Sequence, residues 1–66
     1  MTPTEVRQRI EGIRKARCDE ESAHAQEDRL YRDVLESIAK GTCDDVQEVA
    51  RLCFLTKDIA FARWCS

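Results

Sequence analysis

Glu20, His24, Glu27 and Asp28 are the residues of this chain whose types and spacing could support chemistry. They fall at i, i+4, i+7 and i+8, so on a helix their side chains share one face. Imidazole and carboxylate groups bind divalent metals in helical bundles, although those sites draw ligands from several helices. With a single histidine and no H-E-x-x-H motif, a metal-binding helical module is only an alternative, and we expect no cofactor.

These four residues, called the polar network here, also have a structural interpretation. Glu20 and His24 are spaced to pair, and the two later carboxylates could meet Arg14, Arg17 or Arg32. A partly buried network of this kind can fix the register between helices. The structural interpretation is the one we favour, with an ordinary solvent-exposed face as the third alternative.

Catalytic chemistry has little support in the sequence. A cysteine nucleophile needs a positioned base, and His24 is the one histidine available. Neither a glycine-rich phosphate loop nor a nucleophile elbow occurs. The four cysteines contain no C-x-x-C pair, so we expect free thiols packed as small hydrophobic groups (Cys18, Cys43, Cys53 and Cys65). We expect no enzymatic activity.

Length and charge limit the remaining possibilities. Sixty-six residues make one domain, residues 1–66, with a marginal core that often needs a partner. Thirteen acidic residues against eleven basic ones give a net charge of −2, which argues against general affinity for nucleic acid or membranes. No apolar run approaches the roughly 20 residues of a membrane span, and we expect a cytoplasmic location.

The charge is unevenly distributed along the chain. Residues 1–17 carry five basic residues against two acidic, whereas residues 18–48 carry ten acidic against three basic. The asymmetry indicates electrostatic matching within the fold or between subunits, or simply solvated faces. A nucleic-acid-binding accessory factor is an alternative function, with phosphate contacts from the basic first segment (Arg7, Arg14, Lys15 and Arg17).

The hydrophobic periodicity predicts helices throughout. Thr2-Pro3-Thr4-Glu5 is a typical helix start, and an apolar stripe follows it at Val6, Ile10 and Ile13. Near Cys18–Asp19 we expect a break or a kink, with one continuous helix as the alternative. A second apolar stripe precedes the helix end at Lys40-Gly41 (Leu30, Tyr31, Val34, Leu35 and Ile38).

A third helix follows the cap-like Thr42-x-x-Asp45 and is apolar on two faces. The inner face comprises Val46, Val49, Ala50 and Cys53, and a second face comprises Leu52, Leu55 and Ile59. Such a helix is either sandwiched in the fold or used in an interface. A last short helix is expected from Thr56 through Trp64. The expected fold is all-α, a small bundle of three to four helices, with a kinked long helix at residues 3–40 as one form.

The chain end supplies the rest of a candidate interaction surface. Tryptophan and arginine are favoured at binding hot spots, although a terminal tryptophan can also close a small core. We expect the surface to combine these residues with the second face of the third helix (Leu52, Leu55, Phe61, Arg63 and Trp64).

Three short motifs are distinctive: E-E-S-A-H at residues 20–24, E-D-x-L-Y-R-D-V-L at residues 27–35 and F-A-R-W-C at residues 61–65. Together they resemble a group of very short, uncharacterised helical proteins encoded by actinobacterial phages. The resemblance covers roughly residues 5–65 and departs at Ala60, where the group tends to have an acidic residue. It implies a phage-encoded accessory protein of the host bacterial cytosol and supplies no activity or ligand. We therefore expect a protein-protein interaction function, with either another protein or a second copy of the chain as the partner.

Overall fold

The computed structural model describes residues 1–59, and within that range every regular element is helical. The three α-helices confirm the expected all-α class. They are followed directly by one short 3₁₀ turn. In chain order the elements are α1 (Pro3–Lys15), α2 (Glu20–Lys40), α3 (Val46–Phe54) and the 3₁₀ turn (Leu55–Asp58).

Helix α1 begins as its sequence predicts. Thr2 is the N-cap, and its hydroxyl oxygen accepts a hydrogen bond from the Glu5 backbone N–H at 3.2 Å. Pro3 occupies the first turn, where a missing N–H costs nothing. The apolar stripe of α1 is buried in full and forms the centre of the core (Val6, Ile10 and Ile13).

The chain breaks between α1 and α2. Helix α1 ends at Lys15, and Asp19 then caps α2 by accepting a hydrogen bond from the Ser22 backbone N–H at 3.2 Å. Two glutamates in the first turn of α2 favour a new helix start there, because the N-terminal end of a helix dipole attracts negative charge. The break near Cys18–Asp19 is confirmed, and a continuous helix over residues 3–40 is not formed.

The connection from α2 to α3 confirms one predicted cap and corrects another. Gly41 ends α2 in the left-handed region at φ 71°, as expected for a glycine after a last-turn lysine. The N-cap of α3 is Asp45, whose carboxylate accepts from the Glu48 backbone N–H at 3.4 Å. Thr42 is not a cap for α3. Its hydroxyl lies 3.3 Å from the Ser37 carbonyl oxygen and donates to it, at the end of α2.

The face that α2 buries is rotated from the predicted stripe. Its buried positions recur at helical spacing and include a glutamate and a serine (Ala23, Glu27, Leu30, Val34 and Ser37). Leu35 is 67% exposed and Ile38 is 39% exposed, so these two residues of the predicted stripe lie outside the core. Helix α2 therefore has two adjacent apolar surfaces, of which one is covered.

Helix α3 buries parts of both its predicted faces. Val49 and Cys53 come from one face and Leu52 from the other, and all three lie in the core. Ile59 of the second predicted face is also in the core, but it follows the 3₁₀ turn and is not part of α3. Leu52 is only 4% exposed, so it does not belong to an interaction surface, and that prediction is wrong. Thr56 lies fully buried within the 3₁₀ turn rather than capping a helix, and the rest of the expected last helix, residues 60–64, lies outside the described residues.

Ion pairs join α1 to both later helices. Arg9 donates to Asp33 of α2 at 2.8 Å, and Arg7 contacts Glu48 of α3 at 3.3 Å. Basic α1 thus lies against acidic side chains of α2 and α3, which is charge matching within the fold. Such exposed or partly exposed pairs contribute only about 0 to 1 kcal/mol each, so the core supplies most of the stability.

Candidate functional site

The polar network does not form as one cluster. Glu20 is exposed, whereas Glu27 is buried with only 4% of its surface accessible. His24 lies nearest to Asp28 rather than to Glu20, with 3.6 Å between His24 Nε2 and Asp28 Oδ2. His24 and Asp28 form an ion pair only when the imidazole is protonated. Within residues 1–59, His24 Nε2 has no hydrogen-bond partner.

Two of the arginines expected to complete the network, Arg14 and Arg17, make their contacts elsewhere. Arg14 pairs with Glu11 of its own helix at 2.9 Å, and Arg17 donates to the Arg14 carbonyl oxygen at 2.8 Å. The register of α1 against α2 is instead marked by Arg9 and Asp33. Across the part of the chain that the structure describes, no three His, Cys, Asp or Glu side chains come together as a metal site.

The basic surface of α1 is partly occupied by acidic neighbours. Arg7 contacts Glu48 and Arg14 contacts Glu11, so two of the four residues expected to bind phosphates already have carboxylate partners. A phosphate backbone would have to compete with these pairs. The geometry therefore gives the nucleic-acid alternative no added support.

An apolar groove lies between α2 and α3. It has a volume of about 590 Å³. We call it the α2–α3 groove and define it by its most characteristic lining residues (Tyr31, Leu35, Ile38, Ala50 and Phe54). Pockets of this size and apolar character bind ligands or protein side chains.

The groove follows directly from the spacing of apolar residues on α2. Tyr31, Leu35 and Ile38 fall at i, i+4 and i+7, beside the buried stripe that contains Leu30 and Val34. Helix α2 has 21 residues and α3 has only 9, so α3 covers the apolar face of α2 incompletely. The second apolar stripe of α2 is consequently left facing solvent.

The α3 side of the groove comes from residues that the sequence interpretation did not select. Ala50 and Phe54 are one turn apart, and Phe54 is 64% exposed. Val46 lies one turn before Ala50 and is 45% exposed. The i, i+4, i+8 spacing of these three residues indicates that they share one face of α3. The sequence interpretation instead predicts Val46 and Ala50 on the inner face of that helix.

A hydroxyl-based junction holds the two walls of the groove together. The Thr56 hydroxyl donates to the Cys53 carbonyl oxygen at 2.9 Å, and the Tyr31 hydroxyl contacts both Thr56 Oγ1 and that carbonyl. This arrangement places the polar end of Tyr31 against α3 and leaves the ring in the groove. The groove is therefore formed by the fold itself, before any partner binds.

A lysine contributes to the lining of the groove. Lys57 Nζ is 5.1 Å from the centroid of the Phe54 ring, which is a cation-π geometry. Lys40 and Glu36 pair at 2.8 Å elsewhere on α2, outside the lining of the groove, and that hydrogen bond is the chief cause of the raised pKa of Lys40.

Among residues 1–59, Cys53 is the cysteine that lines the groove. Burial raises the pKa of the Cys53 thiol, and Cys43 adds a smaller contribution in the same direction. Cys53 therefore stays protonated at neutral pH and packs as a small hydrophobic group, as expected. Cys18 is exposed, so the expectation of packing is wrong for that residue. Cys65 lies outside the described residues.

A second, polar cleft lies between α1 and α2. Its volume is about 490 Å³, and Arg9, Gln26 and Arg29 contribute to its lining. Arg9 is already bonded to Asp33, and Gln26 donates to the Ser22 hydroxyl at 3.1 Å. Arg9 and Gln26 thus already have partners within the fold, which makes this cleft the weaker candidate.

Of the predicted interaction surface, only Leu55 is exposed within the described residues. Leu55 is 40% exposed, but it does not line the α2–α3 groove. Phe61, Arg63 and Trp64 lie outside the residues that the structure describes.

No family model, curated protein or solved structure matches this chain. The resemblance to phage proteins therefore stays a prediction. Among residues 1–59, none of the helices has the length and apolar composition needed to cross a membrane.

Proposed function

We propose that this protein is a small accessory protein that binds another polypeptide in the α2–α3 groove and has no catalytic activity. The observation that carries the proposal is the exposure of Leu35 and Phe54, 67% and 64%, on opposite sides of an apolar groove. Large apolar side chains that border the same concavity mark interaction sites more strongly than scattered ones do. The motif resemblance adds the proposal that it acts in a bacterial cytosol as a phage-encoded product.

The class of partner follows from the shape of the groove. Two helices of opposite direction form a trough, because the chain reverses at Gly41 and Tyr31 contacts the C-terminal end of α3 through Thr56. A third amphipathic helix fits such a trough, with apolar residues at i, i+3, i+4 and i+7 that enter it. We therefore propose an α-helical segment as the ligand of this groove.

Site-specific photo-crosslinking tests this function. A photoreactive amino acid at Leu35 lies in the groove, and the same amino acid at Leu55 provides a matched control at an exposed leucine outside it. We expect the Leu35 position to give a defined polypeptide adduct inside the producing cell and the Leu55 position to give none. Absence of an adduct at Leu35, or the same adducts from both positions, would contradict the proposal.

A further inference from the structure

We infer that the polar cleft between α1 and α2 binds the phosphate group of a small phosphorylated molecule. The cleft has a volume of about 490 Å³, and its lining combines two arginines with a serine hydroxyl group and a glutamine amide (Arg9, Gly12, Ser22, Ala25, Gln26 and Arg29). It shares no lining residue with the α2–α3 groove. The inference therefore goes beyond the proposed function and does not depend on it.

The lining of the polar cleft is positively charged, although it lies in an acidic part of the chain. Residues 18–48 contain ten acidic residues and three basic ones, and Arg29 is one of those three. Among residues 1–59, no aspartate or glutamate lines the cleft beside the two arginines. Asp33 contacts the lining through Arg9 at 2.8 Å, and this ion pair balances the charge of Arg9. The charge of Arg29 is left over, and it attracts an anion to the cleft.

The hydrogen-bond donors of the polar cleft are only partly used within the fold. The guanidinium group of Arg29 forms no ion pair or hydrogen bond within residues 1–59. Arg9 uses its Nη1 for Asp33, and the other N–H groups of its guanidinium remain for a ligand. Ser22 Oγ accepts a hydrogen bond from the Gln26 amide at 3.1 Å, and that bond does not use the hydroxyl proton. Both arginines and the serine can therefore donate to one anion.

A phosphate group matches these donors better than a carboxylate does. Its terminal oxygens point in different directions, whereas the two oxygens of a carboxylate lie in one plane with a single open side. Arg9 belongs to α1, while Ser22 and Arg29 belong to α2, so the donors approach from both walls of the cleft. Guanidinium groups on two sides of an anion suit a tetrahedral group, and arginine is the usual residue for this contact.

The size and composition of the polar cleft indicate what carries the phosphate group. A volume of about 490 Å³ lies within the range of small-molecule pockets and is more than a free phosphate ion fills. The small residues Gly12 and Ala25 contribute to this space. A Cβ atom at residue 12 would lie 3.2 Å from Gln26 Oε1, so glycine allows the amide to lie against α1. No aromatic side chain among residues 1–59 lines the cleft, which favours a sugar or polyol phosphate over a nucleotide base that needs stacking.

A nuclear magnetic resonance titration of the isotope-labelled protein at constant ionic strength tests the inference. The probes are inorganic phosphate and glucose 6-phosphate, and glucose serves as the uncharged control. We expect both phosphates to give saturable shifts at the backbone amides of Gly12 and Gln26 and at the Arg29 side chain. Glucose 6-phosphate should bind at least as tightly as inorganic phosphate, and glucose alone should give no shift.

Two arginines of α2 provide matched variants for this titration. Arg29→Ala should raise the dissociation constant for glucose 6-phosphate about tenfold, because hydrogen bonds between charged groups are the strong ones. Arg32→Ala removes an exposed arginine of the same helix that lies outside the cleft, and it should leave the dissociation constant nearly unchanged. Ala25→Leu keeps both arginines and fills part of the cleft, so it should weaken glucose 6-phosphate more than inorganic phosphate.

Several results would overturn the inference. One is the absence of a saturable shift at the cleft with either phosphate. Another is an equal loss for Arg29→Ala and Arg32→Ala, which would indicate general attraction to positive charge. If Ala25→Leu binds glucose 6-phosphate as tightly as the wild type does, the ligand lies elsewhere. Binding of inorganic phosphate without glucose 6-phosphate would exclude a phosphorylated molecule as the ligand. Far-ultraviolet circular dichroism confirms that each variant remains folded.

Discussion

The two sides of α2 carry similar apolar residues but differ in what covers them. On the core side Leu30 is fully buried in the cluster that α1 completes with Val6 and Ile13. On the groove side Leu35, five residues later, is 67% exposed. The difference lies in the neighbouring elements, because α1 and α3 together close the core side while α3 alone only begins to cover the other. A wide apolar helix face thus becomes both a core and a binding surface.

The two sides also differ in how they are held together. Arg9 and Asp33 form a charged contact between α1 and α2, while neutral hydroxyl groups of Tyr31 and Thr56 connect α2 to the end of α3. The hydroxyl groups of Thr56 and Tyr31 both donate to the Cys53 carbonyl oxygen, and Thr56 is fully buried. The groove side should accordingly be sensitive to loss of single hydrogen bonds and insensitive to salt.

The largest expected effect is the difference in free energy of unfolding between alanine substitutions at two leucines of α2. Leu30→Ala creates a cavity in the core and should lower the free energy of unfolding by about 2–5 kcal/mol. Leu35→Ala removes an exposed side chain and should change it by about 0.5 kcal/mol or less. Urea denaturation at protein concentrations low enough to keep the chain monomeric measures both. Equal losses would mean that the groove side is as well packed as the core.

The next effect concerns the hydroxyl junction beside the groove. Tyr31→Phe keeps the ring and removes the hydrogen bond to Thr56, so it should cost about 0.5–1.5 kcal/mol. On the core side the comparison is Leu30→Ala, which lowers stability through lost side-chain volume rather than through a lost hydrogen bond. A double-mutant cycle of Tyr31→Phe with Thr56→Val should show coupling. Additive losses would show that the two hydroxyl groups act separately.

Removal of a helix cap should have a smaller effect on stability, and the N-caps of α2 and α3 can be compared directly. Asp19→Ala at the start of α2 should cost about 1 kcal/mol, because it removes the acceptor for the Ser22 N–H. Asp45→Ala at the start of α3 should cost more, because residue 45 also has a positive φ of 51° that alanine adopts poorly. Asp45→Asn keeps a capping oxygen and tolerates this backbone, so thermal unfolding should show it near wild type. A larger loss for Asp45→Asn than for Asp45→Ala would contradict this account.

The smallest effect is a dependence on pH at the α3 surface. The pKa of Glu48 is lowered from 4.5, chiefly by its hydrogen bond with Arg51, with a further contribution from Arg7. A carboxyl group with a lowered pKa in the folded state stabilises the protein above pH 4.5 and loses that effect as pH falls through the folded pKa. Glu48→Gln should therefore lower the urea midpoint slightly at pH 7 and have less effect at pH 3. A difference that grows on acidification would have the wrong sign.

The sequence predicts local structure here better than it predicts which surfaces meet. The Thr2 cap, the break before Asp19 and the glycine end of α2 depend on a few neighbouring residues, and all three are confirmed. Leu35 belongs to the predicted apolar stripe of α2 but is 67% exposed, and Leu52, predicted on an interaction surface, is buried. Hydrophobic spacing shows that a helix has an apolar face, but its coverage depends on the length and position of other helices.

For the candidate site, too, the sequence does not show which side chains come together. The polar network was the most conspicuous group of side chains in the sequence, yet Glu20 and Glu27 differ completely in burial. Phe54 lines the groove but belongs to no site predicted from the sequence, because a single aromatic residue at a helix end forms no recognisable motif. Long-range contacts decide both outcomes, as when Tyr31 contacts Thr56 across 25 positions of the chain.

Tyr31 is the only tyrosine of the chain, and its position makes it a natural optical reporter. The near-ultraviolet absorption of a phenol responds to hydrogen bonding at its hydroxyl group and to the polarity around its ring. In this fold the hydroxyl group senses the α3 junction and the ring senses the groove. Second-derivative absorbance spectra can therefore follow loosening of the junction and filling of the groove separately, without an attached dye.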